Sequence, residues 1–241
     1  MQTDFSKVIK LIPTYNEKDN IASLAEAVFD IYPETSVMVL DDNSPDNTAS
    51  VVKNLQSKYS NLYLHQRVGE RGFGKSYIDG FKKVLNNPKY QHIVMMDADF
   101  SHDPKEINAM LTKLNEYDVV NGSRYVSGGG IKNWKWHRRF LSRFANFYAK
   151  TILNSNISDL TTGFICLRKD ILKKINLDEI SSDGYAFLVE LKYRLSQAGA
   201  RFYEHPIIYN ERREGSSKMS GKVIWESVFL PWRLRFKDLF T

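Results

Sequence analysis

Asp97 and Asp99 directly follow the apolar run His92–Met96. Carboxylates at i and i+2 share one face of an extended segment, so both can meet one hard divalent cation. The remaining positions of such an ion suit the oxygens of a phosphorylated substrate. The same residue types also build turns and helix caps. Asp103, which precedes Pro104, fits that plainer role because Asp-Pro starts a helix well. Asp97 and Asp99 are set apart by their company, since two more apolar runs end in polar, acidic loops. Lys7–Ile12 runs into Pro13-Thr14-Tyr15-Asn16-Glu17, and Ser36–Leu40 into Asp41-Asp42-Asn43-Ser44-Pro45-Asp46-Asn47.

A competing motif lies between them. Gly69-Glu70-Arg71-Gly72-Phe73-Gly74-Lys75-Ser76 satisfies the pattern of a phosphate-binding P-loop, which would make the chain a nucleotidase. A P-loop follows a buried parallel strand, yet His65, Gln66 and Arg67 precede this one. It would also leave the loops after Ile12 and Leu40 without a task. The glycines read better as a tight entry into a helix near a ligand.

Cations gather elsewhere. From Val119 to Ser158 there is no acidic residue, while Arg124, Lys132, Lys135, Arg138, Arg139, Arg143 and Lys150 all fall there. This stretch accounts for the whole net charge of +6, which points to a localised anionic partner. Nucleic acid, a phosphorylated substrate and an anionic membrane surface all qualify. Trp134, Trp136, Phe140, Phe144 and Phe147 are interleaved with these cations, a mixture that also suits single-stranded nucleic acid. The acidic strand ends weigh against that reading, because without metal they repel a phosphate backbone.

Apolar strand runs alternating with helical patterns position these groups. The helical patterns pass through Ile21–Phe29, Val51–Leu55, Tyr77–Leu85 and Ile107–Leu114, and together with the runs they predict βαβ units on a mainly parallel sheet. Ligands of such sheets bind beyond the carboxyl ends of the strands, where the loaded loops lie. The second half is less regular, with a strand-like Gly163–Leu167, a helix around Tyr185–Leu195 and a strand Phe202–Ile208. The 241 residues, 42% hydrophobic and 26% charged, fit one large domain with an appendage and exclude disorder. The single cysteine, Cys166, excludes a disulfide framework and reads as core. His102 and His205 have no partner spacing and receive no role. No run approaches 18 apolar residues, and the first residues lack a signal peptide's apolar stretch, so a protein that stays where it is made is expected.

The three loops together resemble the family 2 inverting glycosyltransferases, most closely the polyprenol (dolichol) phosphate mannose synthases. The resemblance continues through Gly122-Ser123-Arg124-Tyr125, Gly128–Gly130, Trp134, Arg138–Asn146, Asp159–Phe164 and Gly184–Glu190. It reaches Glu211-Arg212 and Ser217–Gly221, and so covers nearly the whole chain in order. It implies an α/β chain of the GT-A nucleotide-diphospho-sugar-binding fold, with a mainly parallel central sheet flanked by helices. Residues 1–221 would be the catalytic domain, its nucleotide-sugar half about 1–122 and its acceptor half about 123–221. Pro13, Tyr15, Glu17, Leu40 and Asp42 would line the guanosine pocket. Asp97, Ala98 and Asp99 would hold Mg2+ or Mn2+ and the donor diphosphate. Ser101 stands where some members place a glutamine ligand. Arg124, Arg212 and Lys218 match phosphate-contacting positions, and Arg138 and Ser142, again with Arg124, match the acceptor-phosphate site.

The implied reaction is transfer of mannose from GDP-mannose to a polyprenyl monophosphate with inversion. UDP-glucose, or another nucleotide sugar, is the alternative donor. With a second pKa of about 6, the acceptor phosphate is already anionic near neutral pH and needs no general base. What it needs is guanidinium groups that hold it beside a like-charged diphosphate. The chain would then work on the cytoplasmic face of a membrane, alone or with a membrane-anchoring partner protein. Its last residues, 222–241, combine Val223, Ile224, Trp225, Val228, Phe229, Leu230 and Trp232 with Arg233, Arg235 and Lys237. They read as an amphipathic C-terminal segment lying in the membrane interface, kinked at Pro231, or else as a helix docked on the core.

Overall fold

The computed structural model describes residues 3–210 and 228–236. In chain order they form β1 (Val8–Thr14), α1 (Lys18–Ile31), β2 (Ser36–Asp41), α2 (Thr48–Leu55), β3 (Leu62–Gln66), α3 (Phe73–Leu85) and β4 (His92–Met95). Then come α4 (Ile107–Lys113), β5 (Val119–Ser123), β6 (Gly130–Ile131), α5 (Trp136–Leu153), β7 (Ile165–Arg168) and α6 (Lys169–Leu172). α7 (Gly184–Gln197), β8 (Phe202–Pro206) and β9 (Ile208–Tyr209) follow, and residues 228–236 are helical.

Seven strands make one sheet in the order β3-β2-β1-β4-β7-β5-β8. All neighbours pair in parallel except β7, which runs antiparallel to both β4 and β5. The sheet is therefore mainly parallel, as the alternation predicts, with one reversed strand that sequence order does not reveal. The period-2 pattern shows why both faces are covered. Val8, Ile12, Val37, Val39, Val94, Val120 and Cys166 point to one face and meet α1, α2 and α4. Ile9, Leu11, Leu40, Ile93, Met95, Ile165 and Leu167 point to the other and meet α3 and α7. Between α3 and α7, Tyr77 and Phe187 stack with their ring centroids 5.7 Å apart.

The order reverses at β1, whose successor β2 lies on one side and β4 on the other. That switch point brings the loops after β1, β2 and β4 to one edge. A third cluster joins Ala149 and Leu153 of α5 to Val189 and Tyr193 of α7, with Leu230 and Leu234 of the C-terminal helix buried among them. Residues 228–236 thus dock on the domain, and Pro231 does not interrupt their helix. Val223, Ile224, Trp225 and Lys237 lie outside the described residues. Among the described residues, no helix is long and apolar enough to cross a membrane.

Candidate active site

The loops after β1, β2 and β4 open onto a cleft of about 400 Å³. Pro13, Tyr15, Glu17, Asp42, Asp97, Ala98, Asp99 and Arg124 line it together, which brings eight of the expected residues to one place. The loop after β4 turns sharply to present its carboxylates. Phe100 takes a φ of +60°, uncommon for an aromatic residue, and the next amide, of Ser101, donates to Asp99 Oδ1 at 3.0 Å. The Asp97 amide donates to His102 Nδ1 at 3.0 Å, and His102 stacks on Phe164 at 4.9 Å. His102, given no role from sequence, therefore fixes the backbone that carries Asp97.

Ser101 needs a correction. It is fully buried and does not line the cleft; its amide holds Asp99 from behind. Leu40 needs another, because its side chain lies in the core and packs on Gly80, away from the cleft. Arg138 and Ser142 also stand outside the cleft wall, on α5. Arg138 stacks on Trp134 at 4.0 Å, and Trp134 meets the cleft residue Tyr209 edge-on at 5.3 Å. Ser142 Oγ accepts from Tyr125 Oη at 2.7 Å. Arg212 and Lys218 lie outside the described residues.

Asp42 lines the cleft, yet both of its oxygens are engaged by the protein. Arg67 pairs with Oδ1, and the Gly72 amide donates to Oδ2 at 2.7 Å. The Gly74 amide donates to Asp183 Oδ1 at 2.6 Å. The amides that would cradle phosphate in a P-loop thus hold carboxylates instead, and the nucleotidase reading fails on chemistry. A Cβ on Gly74 would lie 2.7 Å from the Ser182 carbonyl, so α3 can begin this close to α7 only without a side chain. Arg71, inside the same motif, stacks on Tyr15 at 4.7 Å and donates to its hydroxyl at the cleft wall.

Arg124 is held as a fork. Its Nε donates to Asp159 Oδ2 and its Nη2 to Asp159 Oδ1, both at 2.7 Å, and Nη2 also reaches Thr161 Oγ1 at 2.8 Å. Burial alone would push Asp159 up, but the guanidinium holds its carboxyl below the usual range. The Asp159–Gly163 loop is pinned from several sides. Lys192, fully buried on α7, donates to the carbonyls of Asp159, Leu160 and Thr162 at 3.1, 2.9 and 2.8 Å. Asn146 Oδ1 accepts from the Leu160 amide at 2.7 Å, and Glu204 accepts from the Ser158 and Asp159 amides. Burial pulls Lys192 down to about 7, while three carbonyl acceptors match the three protons of the ammonium form. Replacing Lys192 by Met is expected to cost at least about 2 kcal/mol, because three buried carbonyls lose their donor. Urea unfolding reads this as a lower midpoint at unchanged slope. An unshifted midpoint would show that the ammonium does not hold the loop.

Asp97 and Asp99 make an all-oxygen donor set, which fits a hard cation such as Mg2+ or Mn2+. Burial first, and then the nearby Asp97 and Asp99 carboxylates, push the Tyr209 phenol up to about 12. The described residues hold no group of three or more His, Cys, Asp and Glu able to take a metal by themselves. An ion held by these two carboxylates would need substrate oxygens to complete its shell. Sequence reasoning missed Asp183, Tyr209, Arg71 and Thr161. None of them ends a parallel strand of the first half, and Arg71 is masked by the false motif.

The sequence model of the family described as Glycosyl transferase family 2 matches residues 11–176. The chain is 36% identical over 233 residues to polyprenol monophosphomannose synthase of Mycolicibacterium smegmatis, covering 95% of this chain and 88% of that protein. It is 37% identical over 222 residues to undecaprenyl-phosphate mannosyltransferase of Micrococcus luteus, covering 92% and 91%. Among solved structures, glucosyl-3-phosphoglycerate synthase from Mycobacterium tuberculosis, in complex with Mn2+, UDP and glucosyl-3-phosphoglycerate, matches with a TM-score of 0.66 at 13% identity. That match covers 95% of this chain and 79% of the other, and it shows the fold.

Proposed function

This chain belongs to glycosyl transferase family 2, and from that premise we propose that it transfers mannose from GDP-mannose to a polyprenyl phosphate, with inversion. It is a glycosyltransferase on the GT-A fold; the sugar, the nucleotide and the lipid acceptor are the proposal. The names of both relatives support mannosyl transfer to a polyprenyl phosphate. The single observation that carries the reading is the placement of Asp97 and Asp99 beside Arg124 in one cleft at the sheet's switch point.

Pro13, Tyr15, Glu17 and Arg71 suit the nucleotide end, where Tyr15 and Arg71 offer a ring and a guanidinium plane to a base. Asp42, which lines the cleft, holds Gly72 in place and would offer its remaining lone pairs to the nucleoside. Asp97 and Asp99 would hold a divalent cation, which when bound neutralises the leaving diphosphate. Arg124 presents the remaining edge of its fork toward the transferred group, and Arg138 would hold the acceptor phosphate above Trp134. Arg212 and Lys218 are proposed to add cations to the same phosphates.

No side chain is needed as base, because the acceptor oxygen is anionic near neutral pH. The chain's task is to hold two anions in line while excluding water. In this reading residues 1–122 serve the donor and 123–221 the acceptor, and the work is done on the cytoplasmic face of a membrane. A donor panel tests the function: GDP-mannose, UDP-glucose and UDP-GlcNAc, each with polyprenyl phosphate and Mn2+ or Mg2+, scored by extraction of lipid-linked sugar. GDP-mannose is expected to be turned over at least about 10²-fold faster than the uridine donors, a margin that hydrogen-bonded base recognition supplies. Preference for a uridine donor would reassign the sugar, and no product with any donor would sink the reading.

A further inference from the structure

Among the described residues two cations line the cleft, Arg71 and Arg124, and the fold sets them at different ends of it. Arg124 spends its fork on Asp159 and Thr161. Arg71 belongs with Asp42 and Tyr15, at the ends of β2 and β1. The sheet order puts β2 two strands from β4, whose end carries Asp97 and Asp99. At the usual strand spacing that is about 10 Å, a span that takes a ribose between a diphosphate and its base.

The loop that carries Arg71 is tied down on both sides of it. Arg67 pairs with Asp42 and Asp79, and its Nη2 donates to the Glu70 carbonyl at 3.4 Å. The Gly72 amide donates to Asp42 Oδ2 at 2.7 Å. The Glu70 carboxylate pairs with Lys75 instead of its neighbour. Arg71 itself is exposed, and its Cζ lies 4.7 Å from the centre of the Tyr15 ring. Its Nη1 donates to the Tyr15 hydroxyl. The ring therefore takes a face of the guanidinium and the hydroxyl one of its five N–H donors. No ion pair among the described residues uses the rest, so a forked donor edge is held in place at the nucleoside end.

Such a fork matches two acceptors set side by side. Guanine carries that pair in O6 and N7. Adenine sets an amino group beside N7 and so meets the fork with a donor, while a pyrimidine of the uracil type offers one oxygen on the comparable edge. Resting on the guanosine donor named above, we propose that Arg71 reads the base: its fork closes on O6 and N7 of guanine, and this contact sets the preference for guanosine over uridine. Phosphate is the other partner a forked arginine takes, but the diphosphate end lies two strands away, at Asp97 and Asp99.

The test is calorimetric titration of the whole protein with GDP, 7-deaza-GDP and UDP in the presence of Mn2+, without sugar or lipid. 7-Deaza-GDP replaces the N7 acceptor by a C–H and keeps the rest of guanine. Wild type is expected to bind it about tenfold more weakly than GDP, and UDP about 10²-fold more weakly. Arg71→Leu and Arg71→Gln should each bind GDP and 7-deaza-GDP alike to within about twofold, and their margin for GDP over UDP should shrink at least tenfold. Thermal unfolding checks that both variants are folded, which the exposure of Arg71 favours. Variants that still separate GDP from 7-deaza-GDP as wild type does would overturn the proposal. An equal loss for all three nucleotides would overturn it too, because Arg71 would then be a phosphate contact. A wild type that favours UDP would strike this contact and the guanosine donor together. A wild type that favours GDP while its Arg71 variants stay unchanged would strike this contact alone. Binding is read without transfer, so a missing lipid-linked mannose would strike the function and leave the base contact standing.

Discussion

An Asp99→Asn protein is expected to lose at least about 10³-fold in transfer, roughly 4 kcal/mol of transition-state stabilisation, while its fold stays within about 0.5 kcal/mol of wild type. The substitution isolates charge from shape. Asp99 Oδ1 accepts the Ser101 amide at 3.0 Å, and the asparagine oxygen keeps that bond and the turn through Phe100. What disappears is one of two carboxylates at the cleft wall, and with it half of the donor set proposed for a dication. Donor binding, measured by calorimetry with and without Mn2+, should lose its metal dependence along with turnover. Alanine would be a poorer probe because it also orphans the Ser101 amide. An Asp99→Asn protein that keeps a tenth or more of its turnover, or still binds donor in a metal-dependent way, would remove the metal from this site.

Asp97 and Asp99 were legible in the sequence because local patterning and chain topology agree there. Ile93 and Met95 alternate with Val94 and Met96 between the two core clusters, so the strand and its end are marked by the residues themselves. The loops after β1 and β2 are marked in the same way, and a parallel sheet has only one edge to which three such ends can go. The aromatic and basic character of α5 was legible too. Its outward direction was not, because an apolar stripe at helical spacing reads equally as core.

The rest depended on pairs distant in sequence. Arg67 and Asp42 are 25 residues apart, and their pairing makes a cleft-lining carboxylate the anchor of the Gly69–Gly74 loop as well. Asp183 reaches Gly74 across 109 residues, which is why the P-loop pattern looked intact when its amides were already taken. Leu40 borders the acidic loop in sequence, but the pleat turns it toward α3, opposite to Val39. The reversed strand β7 follows a long loop whose course is set by Lys192, Asn146 and Glu204, none of them near it in sequence.

Arg124→Lys is the second large effect, expected because the substitution preserves charge and little else. The guanidinium spends three N–H bonds on Asp159 and Thr161, and the rings of Tyr125, Trp134 and Tyr209 lie 5.3 to 5.8 Å from its carbon. Nη1 has no partner among the described residues, and it is the edge left for the cleft. A lysine has one ammonium on a shorter reach and cannot bond both Asp159 oxygens while also presenting a donor. Pairing with Asp159 is the stronger pull, since that carboxylate is fully buried and losing its partner would cost about 3–5 kcal/mol. The ammonium therefore stays with Asp159, and the cleft loses its donor. Turnover should fall about 10²-fold, with donor affinity reduced less than kcat, and stability should fall by about 1–3 kcal/mol for the lost bonds. An Arg124→Lys enzyme within threefold of wild type would mean that Arg124 serves the loop alone and that another cation faces the reacting phosphates.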